Sequence, residues 1–406
     1  EIPKRDWSSD VCSSDLLEPG LPEQLVPHEI LVHLTKNGIY TPSPYEKTKS
    51  AISTLVQSCN DNLKACTTRT ESQSRKQPQV LIIVHNFPPH WYAGVEVYSY
   101  NLASTLIQQG IDVSVLYPLN RCGLSHPVVE ETSYDGITVF TLLGDHSAPE
   151  HASLSGQIAN NAEERVFLEF LQNRHFDVIH FNHTFGMPFN FIKIAQQTGH
   201  KVCLTLHDFW FLCVGIHLYD AAVKDPCNGP ERPEHCVECF ITKTSQTMAK
   251  NDRQMFEKWI QFRISHAVEI IQSCDCIVSP SRYLADVFER FGVYKQIEVS
   301  PLGLLPIRPS TRTPAGTVVF GFLGNIHELK NVYLLADVFR EVQGEARLVY
   351  YGSGSRHHID KLIENIKGDD RIIYSGSYSP DQLADIFNMV DIVVIPSMTE
   401  SYSLVA

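Results

Sequence analysis

From residue 79 onward, short apolar runs alternate with segments in which apolar residues recur every three or four positions. The first run, 80–84, has the length of a buried strand. Tyr98, Leu102 and Leu106 then mark one face of a helix, and a second apolar run follows at 111–116. A strand–helix–strand unit of this kind predicts a parallel sheet that is covered by helices.

The same alternation continues to the end of the sequence. It predicts further strands at 177–181, 201–206, 276–279, 297–300, 317–323, 347–351, 372–374 and 392–395, and helices at 189–198, 282–291, 331–342 and 380–389. A break at 301–303 and a polar stretch at 308–316 divide the series. We therefore predict an α/β protein with two Rossmann-like domains, at 79–302 and 303–406. The second domain is predicted to be incomplete, because a helix is expected to begin where the sequence ends.

The segment before residue 79 does not show this alternation. Residues 6–16 read D-W-S-S-D-V-C-S-S-D-L and have no helix or strand period. The string resembles the translated read-through of a sequencing adapter, and the alternative is a natural disordered terminus. We interpret 1–16 as an artefactual tail in which Trp7 is unpacked, and 17–78 as an N-terminal segment and linker to which the sequence assigns no function.

Composition narrows the class of protein. The 406 residues carry a formal charge of −13, which argues against a general nucleic-acid binder, since such proteins need positive charge. No apolar run reaches the ~18–20 residues of a membrane helix. Eleven cysteines in a chain of this length exclude the small disulfide-rich secreted class, and a reducing cytoplasm is the default expectation.

Open α/β sheets bind ligands beyond the carboxyl ends of their strands. The residues that follow each predicted strand are therefore the candidates for function. In the first half these positions are 85–94, His183, His207 and Asp208; in the second half they are 324–330, 352–354 and 396–403.

A series of short motifs occupies these positions in a consistent order. They are Phe87-Pro-Pro with Ala93-Gly-Val-Glu, Asp177-Val-Ile-His-Phe, Thr205-Leu-His-Asp-Phe-Trp, Ser279-Pro-Ser, Gly321-Phe-Leu-Gly with Lys330, Gly352-Ser-Gly, Ser375-Gly, and Pro396-Ser with Glu400-Ser-Tyr-Ser. Their order and spacing from about residue 79 to the end resemble the retaining glycosyltransferases of family 4, which have the GT-B fold. The resemblance implies two Rossmann-like domains that face each other across a cleft, with the acceptor on the N-terminal and the donor on the C-terminal domain.

The resemblance implies a set of donor-binding residues. Lys330 matches the lysine that binds the donor diphosphate, where an ammonium neutralises the leaving phosphate. Asn325 stands where the family commonly has an arginine, so one positive charge is missing. The remaining members would offer backbone N–H groups or close backbone approach to the donor, as glycines and helix starts do; they are Gly94, Gly324, Gly352 and Ser403.

The catalytic and acceptor-side residues are implied in the same way. His207 matches a histidine that lines the reaction centre, and Glu400 matches the first glutamate of a Glu-x7-Glu motif. Glu96, His183 and Asp208 would lie on the acceptor side. Without the resemblance, a histidine at a strand end is more often a structural hydrogen-bonding residue, and Glu400 would be an exposed loop carboxylate.

A cysteine cluster follows His207. Cys236 and Cys239 have a close metal-ligand spacing, and Cys213 and Cys227 lie upstream. Four thiolates could hold a structural zinc ion, and the similar subgroup of the family often carries such cysteines. Unbonded buried cysteines and a disulfide remain the alternatives.

The resemblance implies that the chain transfers a sugar from a UDP- or GDP-type nucleotide sugar to a glycan or lipid-linked acceptor, with retention of configuration. No cofactor is expected for catalysis, because lysine and helix ends replace a metal ion. Localisation is predicted to be cytoplasmic, with peripheral contact at the inner face of the membrane. The alternatives are a nucleotide-sugar 2-epimerase of the same fold and a catalytically silent nucleotide-binding fragment.

Overall fold

The computed structural model describes residues 77–145, 158–244, 248–303, 316–379 and 382–405. Within these residues the chain forms two compact units. The first contains 77–218 and 228–303, and the second contains 219–227 and 316–405. The tail at 1–16 and all but the last two residues of the segment 17–78 lie outside the described residues.

The first unit is built on one eight-stranded sheet. Its strands are β1 (Gln79–Ile83), β2 (Asp112–Asn120), β3 (Val128–Tyr134), β4 (Ile137–Gly144), β5 (Val178–Phe181), β6 (Lys201–Thr205), β9 (Cys276–Ser279) and β10 (Glu298–Val299). Their order across the sheet is β10-β9-β6-β5-β1-β2-β4-β3. Every pairing is parallel except that of β3 with β4. Two short strands between β6 and β9, β7 (Tyr219–Asp220) and β8 (Asp225–Pro226), form a separate antiparallel pair.

Six helices accompany the strands of the first sheet. They are α1 (Gly94–Gln108), α2 (Asn161–Gln172), α3 (Asn190–Gln197), α4 (Pro233–Thr244), α5 (Lys250–Ser273) and α6 (Arg282–Arg290). The sequence analysis predicted α1, α3 and α6 but missed α2, α4, α5 and the β3–β4 hairpin. Strand β3 is almost wholly exposed, so its residues carry no apolar alternation for a pattern search to find.

The core of the first unit explains why its strands read as continuous apolar runs. Helices cover both faces of a parallel sheet, so that residues on both faces of a strand are buried. All four residues of β5 and all four of β9 are buried in this way. Beside the sheet, the Phe167 ring of α2 stacks on the Phe191 ring of α3 at 4.1 Å and 9°.

The second unit has a four-stranded parallel sheet. Its strands are β11 (Val318–Leu323), β12 (Ala346–Tyr351), β13 (Ile372–Gly376) and β14 (Ile392–Val393), in the order β13-β12-β11-β14. Helices α7 (Val332–Phe339), α8 (Arg356–Ile366) and α9 (Leu383–Met389) connect them. Helix α8 was not predicted, because Leu362 is the only one of its residues that is buried and the rest are largely polar. The prediction of two Rossmann-like α/β units is confirmed.

No helix within the described residues combines the length and the apolar character that crossing a bilayer requires.

We expect Phe167→Ala to destabilise the first unit by about 3–5 kcal/mol, because the ring is fully buried and its removal leaves a cavity. Phe262→Ala provides the control, since that ring is 56% exposed, and should change the free energy of unfolding by less than about 0.5 kcal/mol. Urea unfolding followed by tryptophan fluorescence measures both, because Trp91, Trp210 and Trp259 all belong to the first unit. Equal stability of the two variants would contradict the packing described here.

Candidate functional site

Three neighbouring parallel strands of the first sheet end in histidines. His85 lies two residues after β1, His183 two residues after β5, and His207 two residues after β6. Because β6, β5 and β1 are adjacent and parallel, their carboxyl ends share one edge of the sheet. The sequence analysis named all three positions, with His85 as the first residue of the segment 85–94, but it gave a site role only to His183 and His207.

Two of these histidines are paired with a carboxylate each. His85 Nε2 lies 3.1 Å from Glu96 Oε1, and His183 Nε2 lies 3.2 Å from Asp208 Oδ2. The two imidazole rings are themselves close, with centroids 4.4 Å apart. The His183 ring is further fixed by the backbone N–H of Phe185, which donates to Nδ1 at 3.0 Å. Since Nδ1 accepts, Nε2 of neutral His183 carries the proton that Asp208 accepts.

Helix α1 supplies Glu96 to this arrangement. Gly94 is its first residue and is exposed, and no side chain caps the helix start. Glu96 lies in the first turn, where a carboxylate complements the helix dipole, yet its side chain is buried against His85. Glu96 therefore does more than complement the dipole at the surface. We call His85, Glu96, His183, His207 and Asp208 the strand-end group.

The environment keeps the carboxylates ionised. Burial acts to raise the pKa of Glu96, but the attraction and hydrogen bond of His85 outweigh it, and the pKa is lowered. Asp208 follows the same rule: burial opposes ionisation, and His183 together with the N–H of Trp210 brings the pKa below its usual value. Asp208 Oδ1 accepts that N–H at 2.7 Å.

Burial has the opposite effect on the histidines. Loss of solvent lowers the pKa of His183, and it holds the pKa of His207 well below the usual range for histidine. His207 is 6% exposed, and its ring packs edge-to-face on Tyr98 with centroids 5.2 Å apart. His183 and His207 are thus held neutral beside two negative carboxylates.

The loop beyond Asp208 is held by a buried cation that the sequence analysis missed. The guanidinium of Arg263, on α5, donates to the backbone carbonyl oxygens of Trp210 and Phe211 and lies over the Trp210 ring, 5.1 Å from its centroid. Arg263 is fully buried, and desolvation lowers its pKa to about 10. Trp210 and Phe211 are buried with Phe209, as an aromatic core requires. An arginine in the middle of a long polar helix gives no pattern by which its burial could be predicted.

In the second unit, glycines allow two strand-end loops to touch. A Cβ on Gly352 would lie 1.7 Å from the carbonyl oxygen of Gly324, and one on Gly354 would lie 2.4 Å from that of Ile326. The loops are joined by hydrogen bonds from Gly324 N to the oxygen of Tyr351, at 3.0 Å, and from Ile326 N to that of Ser353, at 2.7 Å. Gly352 and Gly354, which follow β12, are therefore required for the packing of the backbone itself.

Lys330 and Glu400 meet at the same edge of the second sheet. Lys330 Nζ lies 2.5 Å from Glu400 Oε1, which also accepts from the Ser397 hydroxyl at 2.8 Å. The loop 396–400 is fastened to the turn before α7, because Met398 N donates to Leu329 O and Asn331 Nδ2 donates to Pro396 O, both at 2.9 Å. Asn331 adopts a left-handed backbone, with φ of +51°.

The other two predicted donor residues lie in these loops. Asn325 follows Gly324 and is half-buried, and Ser403 is half-buried beyond Glu400, where its hydroxyl accepts from Val405 N at 3.4 Å. The structure thus brings Lys330 into contact with Glu400 and Gly324 into contact with Gly352. The roles that the resemblance gives to these residues remain predictions.

The zinc ion proposed for the four cysteines stays a prediction, which the arrangement of the described side chains does not favour. In the described part of the chain, no group of three or more His, Cys, Asp or Glu side chains could hold a metal ion, and the four cysteines are not disulfide-bonded. Cys236 and Cys239 lie on α4, whereas Cys227 belongs to the second unit. The positive charge of Arg263 is close enough to Cys213 and Cys236 to interact with both. A buried cation at this place opposes the binding of Zn²⁺.

The strand-end group predicts a pH dependence of stability. His183 and His207 have lowered pKa values in the folded chain, so below the unfolded histidine pKa of about 6.5 the unfolded chain binds more protons. Their stabilisation is present above that pH and lost below it, by up to about 1.4 kcal/mol per pH unit for each group. We expect His207→Asn to flatten the loss between pH 7 and 5, measured by urea unfolding, and His126→Asn, on an exposed residue, to leave it unchanged. A slope unaltered by His207→Asn would refute this.

The loop contact in the second unit also gives a direct test. Gly352→Ala should lower the free energy of unfolding of this unit by about 3 kcal/mol or more, because it combines a positive φ with a clash against backbone. Gly344→Ala isolates the first effect, since Gly344 has φ of +95° but open space around it, and should cost about 1–2 kcal/mol. Calorimetric melting distinguishes them. Equal costs would show that the contact with Gly324 is not tight.

Comparison with known proteins was made by sequence and by structure. The sequence model of Glycosyltransferase Family 4 matches residues 92–304, and that of Glycosyl transferases group 1 matches 317–406. A D-inositol 3-phosphate glycosyltransferase of Pseudarthrobacter chlorophenolicus is 24% identical over 337 residues, covering 77% of this chain and 70% of that protein. Mannosylfructose-phosphate synthase of Agrobacterium fabrum is 28% identical over 234 residues, covering 49% of this chain and 51% of that protein.

Solved structures with a similar arrangement were also found. Anabaena HepE in complex with UDP and glucose has a TM-score of 0.48 and 13% identity, covering 78% of this chain and 73% of that one. A trehalose-phosphate synthase from Burkholderia xenovorans in complex with glucose-6-phosphate has a TM-score of 0.48 and 10% identity, covering 81% of each chain. The Family 4 match spans just over half of the sequence, and the group 1 match covers the second unit from residue 317 onward. The chain therefore belongs to glycosyltransferase family 4 and is a glycosyltransferase of the GT-B type.

Proposed function

We propose that this glycosyltransferase moves a sugar from a nucleotide-activated donor to a hydroxyl of a glycan or lipid-linked acceptor, with retention of configuration. The observation that carries the proposal is the contact of Lys330 with Glu400 beside the glycine loops of the second unit. An ammonium next to tightly packed backbone suits the diphosphate of such a donor. The HepE complex mentioned above contains UDP and glucose, which fits a donor of this class.

The Lys330–Glu400 pair is suited to exchange of partners. The two side chains are 31% and 29% exposed, and a pair at such exposure contributes only about 0–1 kcal/mol because solvent screens it. A diphosphate with two or more negative charges can therefore take over Lys330 at little cost. Glu400, released from the lysine, would then accept hydrogen bonds from hydroxyls of the donor sugar.

The proposed reaction requires one bond to break and one to form. The bond between the anomeric carbon and the diphosphate oxygen breaks, and a bond from that carbon to the acceptor oxygen forms on the same face. The acceptor proton passes to the leaving phosphate. Lys330 and the backbone N–H groups near Ser403 stabilise the charge that develops there. Asn325 contributes a neutral side chain at this point.

The first unit would bind the acceptor. Asp208 can accept a hydrogen bond from an acceptor hydroxyl, since its side chain is 25% exposed and ionised. His207, held neutral by burial, can orient the sugar without adding charge near the anomeric carbon. We place the reaction in the cytoplasm, the default expectation for a chain of this length with an odd number of cysteines.

Replacing Lys330 tests the proposal. We expect Lys330→Ala to reduce transfer from a nucleotide sugar by about 10²–10³-fold, as does the loss of one preorganised donor to a developing charge. Binding of UDP, measured by calorimetry, should weaken at least tenfold, with GDP assayed in parallel. Folding should change little, because the ion pair is partly exposed.

Lys367→Ala is the matched control, since Lys367 lies in the same unit and forms an exposed ion pair with Glu364. Its nucleotide binding and turnover should equal those of the parent. Normal turnover in Lys330→Ala would refute the role of the lysine. Conversion of the donor sugar without acceptor would indicate an epimerase, and nucleotide binding without either reaction would indicate a silent binding module.

A further inference from the structure

The edge of the first sheet where the acceptor would bind is negatively charged. Glu96 and Asp208 are both ionised there, whereas His183 and His207 are held neutral. Asp208 and His85 form the accessible part of the group, with side chains 25% and 19% exposed. A negative phosphate that approached this edge would meet unfavourable charge.

The loops at this edge carry no cation of their own, and the Lys243 ammonium of α4 is engaged by the carbonyl oxygen of Gly215 at 3.1 Å. The segments 84–94, 182–190 and 206–218, which follow β1, β5 and β6, contain no lysine or arginine. Arg121 and Arg282, which follow β2 and β9, form ion pairs with neighbouring carboxylates. Arg263 is fully buried beneath the Trp210 carbonyl.

Aromatic rings and hydroxyl groups lie beside the same loop. Tyr92 OH is 2.7 Å from Tyr134 OH, and the Tyr100 ring is 6.0 Å from that of Tyr134. The Phe87 ring lies beside the rings of Tyr100 and Tyr134, with centroid distances of 6.3 and 6.2 Å. Tyr92 is 43% exposed and lies two residues before Gly94, where the helix that carries Glu96 begins. Exposed tyrosines of this kind suit a sugar, whose C–H face packs on a ring while its hydroxyls bond to polar groups.

Some buried polar atoms in and beside the strand-end group lack a hydrogen-bond partner. Within the described residues, Glu96 Oε2, His85 Nδ1 and Thr184 Oγ1 are buried and make no hydrogen bond. Thr184 directly follows His183. Unsatisfied buried groups are costly, and they are normally paired by protein groups or by an ordered water. Because these atoms are closed to solvent, a ligand at this edge would meet the accessible groups, Asp208 and His85.

We propose that the acceptor of this enzyme is an uncharged, hydroxyl-rich sugar that packs on Tyr92 and bonds to Asp208, and that a sugar phosphate is rejected. The proposal deepens the proposed function and rests on it, because only a transferase has an acceptor. It separates this chain from the two relatives above, whose names refer to D-inositol 3-phosphate and mannosylfructose-phosphate.

Binding of matched sugar pairs tests the proposal without any donor. The probes are glucose against glucose 6-phosphate and myo-inositol against its monophosphate, added to the parent protein and followed by ligand-observed NMR titration. We expect each neutral sugar to bind at least tenfold more tightly than its phosphate at low salt. The preference should narrow as salt is raised, because salt screens the repulsion. Tighter or equal binding of the phosphates, or no binding of any probe, would overturn the proposal.

Variants then assign the effect to the two carboxylates. Glu96→Gln with Asp208→Asn should reduce the preference for the neutral sugar about tenfold, because the repulsive charges are gone. Asp286→Asn, which removes an exposed carboxylate of α6, is the control and should leave the preference unchanged. An unchanged preference in the double variant would overturn the proposal. Since these assays use no nucleotide, they can fail while Lys330→Ala still abolishes transfer, and the reverse also holds.

Discussion

The parallel pairing of β1, β5 and β6 is the constraint on which the first unit depends. Parallel strands must all end at the same edge, so residues more than a hundred positions apart in the sequence are brought together. His85, His183 and His207 each lie two residues beyond their strand for this reason. Antiparallel pairing would send alternate strand ends to opposite edges and divide the group.

The strand-end group stays together because each charge has a fixed partner. Glu96 and Asp208 would be costly to bury alone, and the imidazoles of His85 and His183 make their ionised forms acceptable. The loop that carries Asp208 is in turn held by Arg263 through two carbonyl oxygens. One long helix, α5, thereby controls the position of a carboxylate at the edge of the sheet.

The second unit fixes its strand-end loops mainly through backbone contacts, whereas the first unit uses pairs of side chains. Gly352 and Gly354 let the loops after β11 and β12 touch, which fixes the backbone at this edge of the second sheet. The lysine at this edge is kept in position by Glu400, through a contact weak enough to be exchanged. Rigid backbone and an exchangeable side-chain pair together suit the nucleotide-sugar site that we propose for this unit.

The sequence by itself determined the fold class, the strands that carry the site, and the family. Buried parallel strands are continuous apolar runs, and the motifs follow them directly, so both could be recognised without coordinates. It also named Lys330 and Glu400, which lie 70 positions apart and prove to be in contact. The pattern failed for β3 and α8, because exposed elements carry little apolar periodicity.

Only the tertiary structure decided how the side chains are paired and charged. The spacing of the cysteines suggested zinc, but the spacing could not show that α5 places the Arg263 guanidinium near two of the thiols. The pairing of Glu96 with His85 joins a helix start to a strand end, and no local pattern contains it. Burial and ionisation depend on neighbours that are distant in the sequence. For that reason the sequence alone could name the residues of the site but could not determine their charge.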